Sequence, residues 1–552
     1  MKTIAIIFLS ITALSAGSFI GVKQYKSWRQ SGLTSKAVAC LASGDYRNAS
    51  LCARQALESN PDSVEASRVL AELAELGHKT NALSWRQRVV ELEPRNPTNL
   101  LMLARSGLLF GAPNVTRTAL AQIKGKDQEN ADFHKLRANL DWNAGLLPEA
   151  ERHFGEAIRL EPTNLVSQMN LNLVRLPSTN AALALAARTQ LQRLTTNAAL
   201  RGEILRQLIT DAEYRRKPAE ALQFSQALIL SSPNLPDQLR HCGLLKSGND
   251  ASLDRFLASL QNQHQTNAPS VSTIGRWMIA AAHSAQAVSW IQNLPEGIRQ
   301  QRSVTIVLAE ALLNISDWNG LAKHLERKSW DEEEHFRELL LARVAREQKN
   351  LTGTRSRWLK SLKAAGGNPD KLAQLVRATQ TWKWRDEMDE ALTAIVLRDP
   401  EAKWAEDFLS ASLHLGGKTQ ALQNLFARTM EREPTNNIAK SNFATLGLLL
   451  NPGDKQSHRL AEEAFRAQGT NAFVASTYAL SLHLQRQTVR SLQILEALPA
   501  EQLESPAIAV WYGYLLSEGG QPQRAKRYLL LAEKAQLLPE EKLLLAKAKG
   551  QG

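Results

Sequence analysis

The chain carries an apolar pattern of helical period that is interrupted at short, regular intervals. Over Val64–Leu76, apolar residues recur at three- and four-residue spacing, which predicts a helix with one apolar face. We expect Gly77 to end that helix in the left-handed conformation that glycine adopts readily. A second helix is predicted from about Asn81 to Leu92, and Pro94 prevents it from continuing. The segment therefore predicts one helical hairpin.

The markers of this hairpin recur along the chain at an interval of about 34 residues. A turn residue, usually glycine, is followed five residues later by alanine and seventeen residues later by proline. The alanine is expected where the two helices cross closely. The sets are Gly44, Ala49 and Pro61; Gly77, Ala82 and Pro94; Gly145, Ala150 and Pro162; and Arg216, Ala221 and Pro233. Parts of the set recur as Lys383 with Pro400, Gly417 with Pro434, and Gly520 with Ala525.

Extending this phase predicts fifteen hairpins and an all-α, helix-turn-helix repeat solenoid. The predicted turns lie near residues 44, 77, 111, 145, 180, 216, 248, 283, 315, 349, 383, 417, 453, 486 and 520. Pro-Thr-Asn sequences beginning at Pro97, Pro162 and Pro434 are expected to supply N-cap residues to the helices that follow. Alternating patterns typical of strands are absent from the sequence. We predict amino-terminal repeats over 31–240, divergent helical repeats over 241–375 and carboxyl-terminal repeats over 376–552.

One hairpin, GLLPEAERHFGEAIRLEPTN, carries the fullest set of markers. They are Gly145, Ala150, Phe154, Ala157 and Pro162, and Gly513, Gly520, Ala525, Leu529 and Ala532 form a similar set in the last hairpin. This pattern resembles the tetratricopeptide repeat family over roughly residues 31–549. The middle hairpins lose glycine and alanine and instead carry Trp290, Trp318, Trp330 and Trp358. The resemblance implies a right-handed superhelix and recognition of proteins in a concave groove lined by the first helix of each repeat.

The amino-terminal segment departs from the repeat pattern. Thr3–Val22 carries no charged residue and would span about 30 Å as a helix, enough to cross the hydrocarbon core. Trp28 and Arg29 follow, a combination typical of a membrane interface. We therefore expect residues 1–30 to be a single-pass anchor with its juxtamembrane segment. A cleaved secretory signal is the alternative, because Ala16, Gly17 and Ser18 offer small residues to a peptidase.

Charge and cysteine content refine this picture. Apolar residues make up 43% of the 552 residues and charged residues 22%, which is typical of a folded chain. Lysine and arginine exceed the acidic residues by a formal net charge of +13, which favours an acidic partner or an anionic surface. Three cysteines, Cys40, Cys52 and Cys242, are too few for a disulfide scaffold, and we expect Cys40 and Cys52 to be free thiols.

Few residue combinations suggest catalysis or ligand binding. Gly417-Lys418-Thr419 resembles the end of a phosphate-binding loop, but Ser412 stands where that loop requires glycine. An acidic run precedes His335 where a helix should begin, and carboxylates there are favoured by the helix dipole. Metal-binding spacings such as H-E-x-x-H and the G-x-S-x-G nucleophile motif are absent from the sequence. We predict a protein that is not an enzyme, with no catalytic, metal or cofactor site.

Two groups of residues allow both a structural and a functional interpretation. Trp358, Trp382 and Trp384 are expected in the core, and a binding groove lined by Trp and Arg is the alternative. Three basic clusters are expected on a solvated face, with binding of an acidic protein segment or anionic lipid as the alternative. They are Arg206, Arg215, Arg216 and Lys217; Arg355, Arg357, Lys360 and Lys363; and Arg524, Lys526 and Arg527. No nucleic-acid-binding motif accompanies them, which disfavours a nucleic acid as partner.

These observations favour a membrane-tethered scaffold that docks a protein or peptide partner in the groove of the solenoid. The basic balance favours an acidic partner. Two alternatives stay open at this stage. One is a soluble repeat protein exported after signal cleavage, and the other is a non-catalytic subunit of an enzyme or an assembly complex.

Overall fold

A computed structural model describes residues 29–326 and 329–550, and within these ranges the chain forms helices and no strands. It divides into two compact units, with the boundary between Trp277 and Met278. The predicted anchor over 1–30 lies almost entirely outside the described residues. Among the described residues, no helix combines the length and the apolar character that crossing a bilayer requires.

The amino-terminal unit is a series of paired helices joined by short turns. The helices are α1 (29–42), α2 (Tyr46–Ser59), α3 (Val64–Leu76), α4 (Ala82–Leu92), α5 (Pro97–Leu109), α6 (Pro113–Gln122), α7 (Ala131–Asn143), α8 (Leu147–Leu160), α9 (Leu165–Arg175), α10 (Ala181–Leu194), α11 (Ala198–Tyr214), α12 (Pro218–Ser231), α13 (Leu235–Ser247) and α14 (Leu253–His264). The next helix, α15 (Ala268–Ala280), contains the boundary.

The carboxyl-terminal unit continues in the same manner. Its helices are α16 (Ser284–Gln292), α17 (Glu296–Arg299), α18 (Arg302–Asn314), α19 (Trp318–Leu325), α20 (Glu334–Glu347), α21 (Leu351–Ala365), α22 (Pro369–Thr381), α23 (Arg385–Arg398), α24 (Lys403–Leu415), α25 (Thr419–Arg432), α26 (Asn437–Leu450), α27 (Lys455–Gln468), α28 (Ala472–Leu484), α29 (Thr488–Glu496), α30 (Ala500–Leu503), α31 (Pro506–Glu518), α32 (Pro522–Ala532) and α33 (Pro539–Gly550). Short 3₁₀ helices occur at Gly125–Gln128 and Asp331–Glu333.

All fifteen predicted turns coincide with connections between consecutive helices, so the prediction of an all-α repeat solenoid is confirmed for the described residues. Thirteen of these connections contain a residue with positive φ. They are Gly44, His78, Gly111, Gly145, Arg216, Asn249, Ala282, Ser316, Lys349, Lys383, Gly417, Arg486 and Gly520. The middle hairpins therefore keep the repeat phase although their glycines are lost. The handedness of the superhelix and the predicted domain limits stay predictions.

The positive φ has a specific structural cause. In each of these turns the residue after the left-handed one donates its N–H to the carbonyl five residues earlier, as Lys418 does to Leu413 at 2.9 Å. This bond belongs to the Schellman motif, which satisfies carbonyls left unpaired at the end of a helix. The prediction that Gly77 supplies this conformation is wrong. Gly77 has φ −84°, and the next residue, His78, is left-handed at φ +49°.

The small residues of the repeat lie where the paired helices cross. Ala49, Ala82, Ala150, Ala221 and Ala525 are completely buried, and so is Phe154. Each of the six marker prolines lies immediately after the C-cap residue of a second helix. Proline therefore ends each of these hairpins because it lacks the N–H that a further helical turn needs.

The connection from one hairpin to the next follows the sequence Glu-Pro-x-Asn at three places. Asn164 and Asn436 cap the following helices by accepting from backbone N–H groups, as the Pro-Thr-Asn sequences predict. For the sequence that begins at Pro97 the prediction names the wrong asparagine. Asn96, and not Asn99, caps the helix, and Pro97 is its first residue. In all three connections the asparagine amide also donates to the preceding glutamate, at 2.8–3.0 Å.

Candidate functional site

A cavity of about 860 Å³ lies in the carboxyl-terminal unit. It is lined mainly by α24, α26, α28 and α31, which are the first helices of four consecutive hairpins, and Leu422 and Phe426 of α25 also line it. We call this cavity the inner groove. Its principal lining residues are Asp407, Ser410 and His414 from α24, Asn442 and Thr445 from α26, Phe473 and Thr477 from α28, and Val510 and Trp511 from α31.

Helical spacing brings these side chains to one surface. Asp407, Ser410 and His414 follow one another at intervals of three and four residues, so they share one face of α24. The opposite face of the helix carries Leu409 and Leu413, which are buried in the core. Each first helix thus presents one side to its own hairpin and the other to the inner groove, as the repeat resemblance implies.

Hydroxyl groups link two neighbouring first helices beneath the inner groove. The Thr477 hydroxyl lies 2.8 Å from that of Ser441 and 2.7 Å from that of Thr445. Ser441 and Thr477 are buried, so these hydrogen bonds satisfy groups that would otherwise be costly to remove from water. The surface offered to a ligand is accordingly mixed, with hydroxyl and amide groups between aromatic and aliphatic side chains.

The chain's own carboxyl-terminal segment, residues 535–541, forms one wall of the inner groove. Leu538 is 2% exposed and packs in a cluster with Leu409, Leu422 and Leu446, which lie more than 90 residues earlier in the sequence. Pro539 follows, and the Thr419 hydroxyl donates to Glu540 Oε2 at 2.6 Å. The segment therefore crosses back from the last hairpin to α24 and α25.

Helix α33 continues from this crossing to the last hairpin. The Ser517 hydroxyl donates to the carbonyl of Ala548 at 3.0 Å, and Lys547 pairs with Glu518 at 2.9 Å. Leu545 and Ala548 are buried against α31 and α32. The helix thus begins at the turn between α24 and α25 and ends at the turn between α31 and α32.

Burial changes the protonation equilibria of two lining residues. It raises the pKa of the Glu541 carboxyl, although the N–H of Leu538 donates to Glu541 Oε2 at 2.8 Å and opposes this shift. It lowers the pKa of His414 and favours the neutral imidazole. Asp407 is exposed at the opening. The lining residues of the inner groove therefore include carboxyl groups and one neutral imidazole, and they include no lysine or arginine.

One edge of this unit carries apolar side chains in an exposed row. Trp404, Ile438 and Phe473 are each the second residue of a first helix, at intervals of 34 and 35 residues. Their exposed fractions are 51%, 40% and 58%. Phe473 also lines the inner groove, so the row is continuous with it.

The loop that resembles a phosphate-binding motif is occupied by internal contacts. Lys418 Nζ pairs with Asp386 at 2.6 Å and with Asp389 at 2.7 Å, and these bonds outweigh the effect of burial and raise its pKa. Gly417 provides the left-handed turn, and the Thr419 hydroxyl is bonded to Glu540. The three residues therefore connect hairpins and the carboxyl-terminal segment.

The acidic run before His335 forms part of a helix start. Glu334 accepts from Arg337, from the Trp330 N–H and from the Ser329 hydroxyl, and these contacts lower its pKa to about 2 against the opposing effect of burial. His335 is 1% exposed and its Nε2 lies 2.8 Å from Gln374 Oε1. Within the described ranges, no cluster of three potential metal ligands occurs.

Trp358 and Trp384 lie in the core, as the sequence predicts, and Trp382 packs against it. Trp358 is completely buried and donates its Nε1–H to Glu390 at 2.8 Å, and Trp384 is 3% exposed. Trp318, Trp382 and Trp384 surround the guanidinium of Arg343, whose central carbon lies 5.2–5.6 Å from the three ring centroids. This arrangement is a cation–π cluster within the protein.

Most guanidinium groups of the basic clusters pair with carboxylates. Arg206 binds Asp237, Arg215 binds Asp211 and Glu220, Arg355 binds Glu390, Arg357 binds Glu338, Arg524 binds Glu496 and Arg527 binds Glu504. These pairs favour the solvated face that the sequence predicts. Cys40 and Cys52 are free thiols, as predicted, Cys242 is also free, and Cys52 and Cys242 are buried.

The inner groove itself was not predicted residue by residue. Its residues are ordinary helix-forming and apolar types, and nothing in their local spacing distinguishes them from a core-facing set. The one available signal was the phase of the repeat, which identifies the first helices that the family resemblance expects to line a groove. The crossing of residues 535–541 has no local signal, because it depends on contacts with residues more than 90 positions away.

The repeat length, the left-handed turn, the buried alanine at the crossing and the closing proline define a tetratricopeptide-like α-solenoid. No family model and no curated protein matches the sequence. Among the solved structures similar to the chain is pilF of Pseudomonas aeruginosa, with 14% identity, 38% of this chain and 96% of that chain covered, and a TM-score of 0.31.

Two further solved structures are similar over more of the chain. The APC/C hetero-tetramer Cut9–Hcn1 is 12% identical, with 84% of this chain and 98% of that chain covered and a TM-score of 0.29. Naa15/Naa10 bound to HypK-THB is also 12% identical, with 95% and 79% covered and a TM-score of 0.29. Identities and TM-scores this low assign neither a partner nor an activity to this chain.

Proposed function

We propose that the protein is a non-enzymatic, membrane-tethered scaffold that docks a protein partner in the inner groove. The observation that carries this proposal is the cavity formed by four consecutive first helices. Packed helices lie about 8–10 Å apart, so four of them in series extend over about 25–30 Å. That length suits a peptide segment better than a small molecule.

The lining chemistry also supports a peptide ligand. Phe473, Val510 and Trp511 provide aromatic and aliphatic contacts, and Asn442 provides an amide that can pair with a peptide backbone. Aromatic side chains in a concave site are typical binding hot spots. The acidic lining suits a peptide with donors or basic groups at the position that faces Asp407, although the chain as a whole is basic.

Tethering is supported by the sequence of the amino-terminal segment. Thr3–Val22 has the length and composition of a spanning helix and is followed by aromatic and basic residues. The tether would confine the docked partner to the membrane surface and raise its local concentration there.

Docking is tested by a substitution in the inner groove and a matched one outside it. Ala411 lines the inner groove and is exposed, so Ala411→Arg fills part of the cavity without disturbing the core. Ala421 is an exposed alanine on α25 that does not line it, and Ala421→Arg serves as the control. Affinity capture from detergent-solubilised membranes should lose its specific partner with Ala411→Arg alone. Equal capture by both variants would contradict docking at this site.

Tethering is tested separately by fractionation and amino-terminal sequencing. The intact protein should stay in membranes through high salt and alkaline carbonate, and the variant lacking residues 1–30 should be released. A mature chain that begins near Phe19 would show a cleaved signal, and the tether would then be excluded.

A further inference from the structure

We propose that one edge of the carboxyl-terminal unit rests on an anionic lipid surface. This edge consists of the six turns that join first and second helices between α20 and α32, with the helix ends beside them, and we call it the turn edge. The turns are residues 348–350, 382–384, 416–418, 451–454, 485–487 and 519–521. The inference goes beyond docking in the inner groove, because the cations that carry it do not line that cavity.

Contacts between neighbouring hairpins place these turns side by side. Three side-chain contacts each join two neighbouring turns: Arg346 with Glu387 at 3.2 Å, Lys418 with Asp386 at 2.6 Å, and Gln485 with His458 at 3.2 Å. Packed helices lie about 8–10 Å apart, so the turns follow one another at about that interval. They therefore form one row along the unit rather than six separate loops.

The row carries cations that are not paired within the protein. Six exposed lysines and arginines lie in these turns or within three residues of them, and within the described ranges none of the six forms an ion pair. They are Lys349, Lys383, Arg385, Lys455, Arg486 and Arg490. Such a series of uncompensated charges attracts anions to this edge.

The carboxylates at the turn edge are already engaged. Those within three residues of a turn pair as Glu347 with Arg343, Asp386 with Lys418, Glu387 with Arg346 and Glu518 with Lys547, and Asp454 accepts from the backbone N–H of Ser457. These carboxylates neutralise other cations or cap a helix. The six unpaired cations therefore face solvent without compensation.

The opposite edge of the same hairpins has the reverse charge. It is formed by the connections between hairpins, residues 366–368, 399–402, 433–436, 469–471, 497–505 and 533–538. Apart from Lys534, their charged residues are the carboxylates Asp399, Glu401, Glu433, Glu501, Glu504 and Glu533. A helix of 13 residues separates the two edges by about 20 Å. An anionic surface therefore attracts the turn edge and repels the other, which selects one orientation of the unit.

Apolar side chains stand exposed beside the unpaired cations. Leu351, Leu450 and Val489 are 72%, 38% and 74% exposed, and each lies within two residues of a turn. Basic side chains among exposed aliphatic ones suit the boundary between the headgroups and the acyl chains of an anionic bilayer. A nucleic acid would engage the charges and leave the aliphatic side chains in water. A bilayer also offers anionic groups along the whole row at once.

The test uses the full-length chain in vesicles of phosphatidylcholine, with or without phosphatidylserine. A fluorescent amino acid replaces Val489 at the turn edge or, in a separate chain, Leu397, which is 54% exposed beside the connection 399–402. Lipids brominated in their acyl chains quench a fluorophore that contacts the bilayer. Quenching at position 489 should be at least about fivefold greater with phosphatidylserine and should decrease at high salt. Position 397 should show no such increase.

Charge reversal tests whether the turn residues cause the contact. The variant combines Lys349→Glu, Lys383→Glu and Arg486→Glu. Its control reverses three exposed cations beside the opposite connections, so that both chains change by the same net charge: Arg398→Glu, Lys403→Glu and Lys534→Glu. Each lysine or arginine near an anionic surface contributes roughly fivefold to binding, so the first variant should weaken the contact by about a hundredfold. The control should keep the quenching of the wild type.

A second variant covers a loss of folding. Should the first variant lose helical content by circular dichroism, Lys455→Glu with Arg490→Glu takes its place. Both residues lie in the first turn of a helix, α27 and α29, where a carboxylate is favoured by the helix dipole. This variant should lose the quenching in the same way.

Equal quenching with and without phosphatidylserine, equal quenching at positions 489 and 397, or unchanged quenching after charge reversal would overturn the proposal. Loss of partner capture in detergent by the charge-reversed chain, with no quenching of the wild type in vesicles, would also overturn it and identify an acidic protein as the occupant. Docking in the inner groove is decided separately by Ala411→Arg, so either proposal can fail while the other stands.

Discussion

At the scale of single residues, the helix crossings tolerate almost no additional volume. Ala150 is completely buried between α7 and α8, and Phe154 and Ala157 on the same helix are also completely buried. Because side chains at a close crossing pack at the density of an organic crystal, a larger residue must displace a whole helix rather than a single neighbour.

Ala150→Trp is therefore expected to open the α7–α8 hairpin, with a loss of about 1–3 kcal/mol or more from overpacking. Hydrogen exchange over residues 130–160 should accelerate. Glu149→Trp, one position away on the exposed surface, is the control and should leave exchange unchanged. Unchanged exchange in Ala150→Trp would contradict the close crossing.

A histidine pair, of which His153 is buried, gives the amino-terminal unit a defined response to pH. Arg152 donates to His153 Nε2 at 2.8 Å, and His153 Nδ1 lies 2.9 Å from His134 Nδ1. His153 accepts at one nitrogen and can donate only from the other, so the neutral imidazole fits this site. Burial, and then the charge of Arg152, lower the pKa of His153 to about 4 from its ordinary 6.5.

Stability should therefore fall as the pH drops from 6.5 to 4. Over that range the unfolded chain binds a proton at His153 and the folded chain does not, which costs on the order of 2–3 kcal/mol. In urea unfolding at pH 7 and pH 4.5, His153→Gln should show a smaller loss of stability than the wild type. His78→Asn, at an exposed turn position, should keep the full loss.

At the scale of the helical hairpin, hydrogen bonding of the turn outweighs residue preference. Arg216, Lys349 and Arg486 adopt φ of +57°, +61° and +64° without the freedom of glycine. A left-handed conformation costs a non-glycine residue roughly 1–2 kcal/mol, and the Schellman hydrogen bonds offset that cost.

Replacing each of these three residues with glycine should raise the free energy of unfolding by about 0.5–1 kcal/mol. This is the net gain once the conformational entropy that glycine adds to the unfolded chain has been subtracted. Thermal unfolding of the triple variant provides the measurement. Gln348→Gly is the control, because Gln348 precedes Lys349 with φ −79° and gains nothing from glycine. A lower melting temperature for the triple variant would contradict the assigned turn geometry.

The turns also explain how much of the fold the sequence could predict. The positions of the hairpins were predictable because Gly145, Ala150 and Pro162 each meet a local requirement: a left-handed turn, a close helix crossing and the end of the second helix. With fifteen repeats, the phase stays clear even where one of these residues is missing. The prediction for Gly77 was wrong because glycine commonly ends a helix whether or not its φ is positive. Here the next residue, His78, adopts the positive φ. The position of Leu538 in the core cluster was not predictable, because only tertiary contacts determine it.

At the scale of the molecule, the carboxyl-terminal unit combines a solenoid with a cavity among its first helices. The first helices α24, α26, α28 and α31 provide the inner groove, and residues 535–541 form one wall. Apolar residues at the edge of the unit, Trp404, Ile438 and Phe473, extend the available surface. The inner groove and this exposed row are the surfaces on which the proposed docking of a protein partner rests.

The central claim is that a partner docks in the inner groove, and site-specific photo-crosslinking in intact cells tests it most directly. A photoreactive residue at Ser410, which lines the inner groove, should yield a discrete covalent adduct with another protein. The same residue at Gln420, exposed on α25 outside the groove, should yield none. Ala411→Arg should abolish the adduct formed at Ser410. Adducts of equal yield at both positions, or at Gln420 alone, would contradict the account.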